Sequence, residues 1–154
     1  MVWSEDLISI ILATVLGAGI GLERELSGKA AGLRTNLLIC LGAAVFTIIS
    51  REMATGGEAS ITRIAAQIVT GVGFLGAGAI IQDRRGVHGL TTAAGIWLVA
   101  SIGMACGGRF YKLAVVASLI AVLALIGLGK LAKPLERFRK RKDEESQASA
   151  EEQD

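Results

Sequence analysis

"LISIILATVLGAGIGLERELSGKAAGLRTNLLICLGAAVFTIIS", residues 7–50, is the stretch that decides the fold class. Two apolar runs flank residues 21–36, where Glu23, Arg24, Glu25, Lys29 and Arg34 crowd together. A bilayer core of about 30 Å takes roughly 20 apolar residues per helix, and about 17 are enough. Runs 7–22 and 36–50 come close to that length and read as two membrane spans joined by a polar turn, the second short and expected to tilt little or extend into its flanks. The same reading continues at 61–81, 89–106 and 110–131. The predicted fold is all-α, a polytopic membrane protein of five transmembrane helices within residues 1–131. Residues 132–154 are expected to form a charged cytoplasmic tail, solvated and disordered.

Composition supports a lipid-embedded chain. Of 154 residues, 52% are hydrophobic and 19% charged, with a mean hydropathy of +0.56. Glycine fills 20 positions against a single proline, which suits close approach of helices in lipid rather than a Gly/Pro coil. The net charge of +2 is small and points to no nucleic-acid partner. "MVWSED" has no basic leader, so the first apolar run reads as a retained span. Cys40 and Cys106 lie inside apolar runs, where a thiol acts as a small hydrophobe.

Lysine and arginine set the predicted orientation. With the N-terminus outside, twelve of the 16 basic residues face the cytosol, among them Arg24, Lys29, Arg34, Arg84 and Arg85. Arg51, Arg63, Arg109 and Lys112 are left outside. The positive-inside bias thus predicts N-out and C-in. It also gathers Glu23, Arg24, Arg34, Asn36, the glycines of 73–78, the loop 82–89, Thr91 and Thr92 at one rim.

Chemistry is sparse. Gly71, Gly73 and Gly76 match a dinucleotide fingerprint, but they sit inside a span with no preceding strand. "SGKA" is not a phosphate loop, and a single histidine, His88, supports neither a zinc site nor a serine triad. No enzyme and no cofactor are expected. Glu23, Glu25 and Asp83 at the inner rim are the candidate cation ligands, since no Asp or Glu lies mid-span. The second and fourth helices begin at that rim, where free N–H groups favour carboxylates. Glu23 is the expected neighbour of those starts, with Asn36 and Thr91 or Thr92 as caps. Glu25 and Lys29, four apart, suggest a surface pair on a short helical turn. Gly17 and Gly21 read as a helix-packing pair, and Gly71, Gly73, Gly76 and Gly78 as tight packing or, alternatively, an unwound helix exposing carbonyls. Arg63 is expected to snorkel outward, and Gln67 to make an interior polar contact.

"GIGLERE", "AGLRTN", "LGAAVF", "RIAAQIVTGVGFLGAG" and "VHGLTTAAGIW" together resemble the MgtC/SapB family of bacterial inner-membrane proteins, over about residues 7–126. The resemblance implies a multi-pass protein of the cytoplasmic membrane linked to magnesium homeostasis, growth at low magnesium and, in pathogens, survival inside macrophages. It implies regulation of other membrane proteins, ATP synthase among them, more than catalysis. An oligomeric magnesium transporter or channel is the alternative, and a homo-oligomer is a candidate assembly. Carried onto this chain, the family pattern selects Glu23, Arg24, Gly32, Leu33, Arg34, Thr35, Asn36, Arg63, Gln67, Gly73, Gly76, Gly78, Gly89, Thr92 and Trp97. Many such proteins continue into an ACT-like domain, and this chain is expected to be a short member without it.

Overall fold

A computed structural model describes residues 2–54, 58–83 and 86–128. The expected tail, the last residues of the fifth span and Arg84 and Arg85 lie outside the described residues. The chain divides into two compact units, Met1–Ile120 and Ala121–Asp154.

Five helices appear in the order expected. They are α1 (Val2–Leu26), α2 (Leu33–Met53), α3 (Glu58–Gly78), α4 (Leu90–Gly107) and α5 (Tyr111–Leu128). Between α3 and α4 lies one addition to the all-α expectation: a hairpin of β1 (Ile81–Asp83) and β2 (Gly86–His88), paired antiparallel with Ile81 opposite His88. Helices α1, α2, α4 and α5 are long and apolar enough to cross a membrane, while the apolar part of α3 covers only Ala65–Gly78.

Several boundaries differ from the hydropathy reading. Helix α1 runs on to Leu26, so Glu23, Arg24 and Glu25 occupy its last turn rather than a loop. A backbone helix tolerates charge at its end, so hydropathy stops before the hydrogen bonding does. Helix α2 extends past both ends of 36–50, which resolves the shortness of the second run and puts Arg34, Thr35 and Asn36 in its first turn. Helix α3 stops at Gly78, three residues before the expected 81, because Ile81 has already joined the hairpin. No separate helical turn forms between Gly28 and Gly32. Instead Gly28 takes φ +65 and closes α1, with Lys29 N–H donating to Arg24 O at 3.0 Å.

Glycine contacts fix how the helices run. A Cβ on Gly17 would lie 2.6 Å from the Cys40 Cβ, and one on Gly21 2.8 Å from the Leu33 Cα. Helices α1 and α2 are therefore antiparallel, and the expected packing role of Gly17 and Gly21 holds. A Cβ on Gly103 would strike the Cys40 carbonyl, and one on Gly107 would come within 2.8 Å of Thr47 Cβ. That contact sets α4 parallel to α2. Gly76 meets Ala93, and Ile68 and Val72 share a groove with Trp97, Ala100 and Met104, so α3 runs antiparallel to α4. The apolar cluster of Ala31, Ala43, Ile68, Val72, Ile96 and Ala100 joins α2, α3, α4 and the α1–α2 turn.

The third helix departs most from expectation. It is unbroken through Gly71, Gly73, Gly76 and Gly78, so no unwound segment exposes carbonyls. Within the chain, Gly71, Gly73 and Gly78 pack against no neighbour, since an added Cβ at any of them would meet nothing within 4 Å. Gln67 is exposed rather than turned into the bundle, as is Arg63.

Candidate functional site: a polar pole where four helices meet

These directions bring the end of α1, the start of α2, the end of α3 and the start of α4 to one pole. The residues gathered at the predicted rim do share an end of the molecule. Gly21 lets it assemble. Without a side chain there, Leu33 and Asn36 approach the α1 backbone, the Asn36 Cβ lying 3.1 Å from where a Cβ would stand.

Within this pole the polar groups divide into those tied to backbone and those left with unmet bonds. Asn36 is 1% exposed, and its Nδ2 donates to Ala31 O at 2.7 Å and to Gly32 O at 2.8 Å. It braces the turn and does not cap α2. The cap comes from Glu25, whose Oε2 accepts from Leu33 N–H at 2.7 Å and lies where a Cβ on Gly32 would stand. The neighbour expected in Glu23 is thus Glu25, which points to α2 instead of pairing with Lys29. Sequence spacing favours the i,i+4 pair, but a carboxylate gains more from an orphan N–H at a helix start than from an exposed lysine.

Glu23 and Arg24 behave differently. Their side chains are 11% and 7% exposed, and Arg24 Nη1 lies 3.7 Å from Glu23 Oε2. Ser27 Oγ donates to Glu23 Oε1 at 2.7 Å. Glu23 Oε2 and Arg24 Nη2 are each sealed from solvent with no hydrogen-bond partner among the described residues. Arg34 and Thr35 are exposed on the first turn of α2.

On the α4 side of the pole, Gly89 begins the helix at φ +88, where a Cβ would strike the Ala79 carbonyl. No side-chain hydrogen bond caps this start, so the cap expected from Thr91 or Thr92 is absent; Thr92 is instead buried, at 8% exposure. Asp83 and His88 face each other on the exposed hairpin, Oδ1 to Nε2 3.5 Å. Glu23, Glu25 and Asp83 do not converge, and among the described residues no three Asp, Glu, His or Cys side chains gather as metal ligands.

The opposite pole carries a cluster that sequence reading missed. Asp6 pairs with Arg51 and, at 3.2 Å, with Arg109, while Glu5 pairs with Arg109. Arg51 Nη1 also donates to Gly107 O at 2.8 Å, and the hydroxyls of Ser9 and Tyr111 lie 3.0 Å apart. The start of α1, the end of α2 and the α4–α5 turn are thereby tied together. The only advance signal is that acids open the first helix while arginines end the second and follow the fourth, which becomes meaningful once those ends are known to be adjacent.

The family model described as "MgtC family" matches residues 10–134. Over 132 residues the chain is 45% identical to "Protein MgtC" of Salmonella typhimurium (strain LT2), covering 86% of this chain and 56% of that protein. It is 44% identical to "Putative magnesium transporter YhiD" of Escherichia coli (strain K12), covering 79% and 60%. An uncharacterised protein of Synechocystis sp. is 43% identical over 138 residues, covering 90% and 56%. The chain thus spans 56 to 60% of the length of these curated relatives. No solved structure matches it.

Proposed function

This chain belongs to the MgtC family of membrane proteins, and from that premise we propose that it serves magnesium homeostasis and adaptation to low magnesium as a non-enzymatic regulator. It sits in the bacterial cytoplasmic membrane, with the pole of Glu23, Arg24, Arg34 and Asn36 at the cytosolic face. There it contacts other membrane proteins, for which the family resemblance puts forward ATP synthase. In host-associated bacteria the same adaptation supports virulence.

The observation that carries this reading is the buried Glu23–Arg24 pair. Two charges withdrawn from water are costly unless their remaining lone pairs and protons are satisfied. Here a carboxylate oxygen and a guanidinium nitrogen go unmet in a pole whose buried amide, Asn36, donates from Nδ2 to two turn carbonyls. Buried polar groups are bonded in the great majority of cases, and departures concentrate at functional sites. A partner that draws the last turn of α1 toward itself supplies the missing acceptor and donor. Arg34 and Thr35, exposed one turn away, provide the first point of contact.

A Glu23→Ala, Arg34→Ala double variant is expected to reach the membrane at normal levels yet to lose support of growth at limiting magnesium. Normal growth of a well-expressed double variant contradicts the reading. Cation transport is the second reading, favoured by the name of the Escherichia coli relative. Against it stands the continuity of α3, whose carbonyls are engaged in the helix. Magnesium flux into liposomes holding the purified chain, abolished by Glu23→Ala, would replace regulation with transport.

A further inference from the structure

Away from the two poles, α1, α2 and α5 turn apolar side chains outward: Ile11 and Val15, Leu38 and Phe46, Val116 and Leu119. Lipid covers such faces without cost. Helix α3 is different. Among its described residues it buries only the narrow stripe of Ile68, Val72 and Gly76. The face carrying Gln67, Gly71, Phe74 and Gly78 stands away from that stripe at helical spacing, and all four residues are exposed.

Gln67 is nine residues from the Glu58 end of α3, about 13 Å along a helix rising 1.5 Å per residue. Because α3 lies against α4, which is long and apolar enough to span, this places a carboxamide within the hydrocarbon layer. The nearby Thr70 hydroxyl is satisfied by Ala66 O at 3.2 Å. The Gln67 carboxamide has no hydrogen-bond partner among the described residues. An amide left unpaired in hydrocarbon costs several kcal/mol, so it seeks a neighbouring helix.

We infer that this face of α3 packs against the same face of a second copy of the chain. A carboxamide carries both donors and an acceptor. Two Gln67 side chains related by a two-fold axis therefore satisfy each other, which meets the requirement that an isologous interface be self-complementary. Shape agrees with chemistry. Gly71 and Gly78 leave gaps where an added Cβ would meet nothing within 4 Å. Phe74, 81% exposed between them, is the knob that the partner's gaps accept. With the helices crossing near Gly71, the two Arg63 side chains diverge toward the opposite pole and its water. This pairing is independent of what the rim around Glu23 does.

The test is oxidative crosslinking of the full chain in its own membrane. Cys40 and Cys106 are both 0% exposed, so the unmodified chain is the silent control. Gly71→Cys is expected to give a product of twice the 16.0 kDa chain, and Val116→Cys, on the lipid face of α5, none. Adding Gln67→Leu to Gly71→Cys is expected to lower the crosslinked fraction about three- to tenfold, with Gln67→Asn restoring part of it. Three results overturn the inference: a Gly71→Cys product of any other mass, no product with single chains seen by photobleaching, or a yield indifferent to Gln67→Leu. None depends on low-magnesium growth, so this pairing and the proposed function fail separately.

Discussion

Asn36 shows how much one side chain holds at the polar pole. Its carboxamide donates to two consecutive turn carbonyls while its Cβ fits against the bare backbone of Gly21. Asn36→Leu keeps the volume but strands the carbonyl of Ala31 in a setting from which water is largely excluded, while that of Gly32 keeps the backbone N–H of residue 36 at 3.1 Å. The expected loss is about 1 to 3 kcal/mol of stability, read as a lower unfolding midpoint in detergent. Asn36→Gln, which keeps the amide on a longer arm, should recover only a part. The contrast with Glu25 is instructive, because that carboxylate is exposed and its bond to Leu33 N–H organises the start of α2 rather than a buried network.

Among the elements, α2 is the central helix, and its two flanks are gripped by pairs of glycines four residues apart. Gly17 and Gly21 of α1 press on one flank, Gly103 and Gly107 of α4 on the other, and Cys40 touches both. Gly103→Val should therefore lower stability by about 1 to 3 kcal/mol or abolish insertion, whereas Gly95→Val, with nothing within 4 Å of its Cβ, should be tolerated. Expression level and thermal midpoint of the two variants, measured side by side, check this. Four spans were legible in the sequence because hydropathy reports length and apolarity. The first glycine pair was legible too, since its spacing alone signals packing. The third helix was misread for a physical reason. Composition reveals that a helix is rich in glycine and carries Gln67, but which face meets a neighbour depends on the rotation of α3 against α4, and no local pattern encodes that. The pole at Asp6, Arg51 and Arg109 escaped for a similar reason, as its members are brought together only by the antiparallel and parallel pairing of whole helices.

At the scale of the molecule, two poles of different character face opposite sides of a bundle. One ties its arginines into pairs with Glu5 and Asp6, and its α4–α5 turn holds Arg109 at φ +66, a conformation that costs roughly 1 to 2 kcal/mol for a residue with a Cβ. The other leaves Glu23 and Arg24 incompletely bonded and Lys29, Arg34 and Thr35 exposed. An end tied by ion pairs between helices, where Arg109 Nε also goes unmet, and an end with exposed charge fit a protein that acts on one side of the membrane. The proposal requires that side to be the cytosol. The measurement that tests it most directly is labelling of a Lys29→Cys variant in intact cells with a membrane-impermeant maleimide. The native cysteines, buried where the helices cross, contribute no background. Protection in intact cells, with full labelling once the membrane is opened, is the result predicted; labelling in intact cells would place the Glu23–Arg24 pole outside and contradict the account.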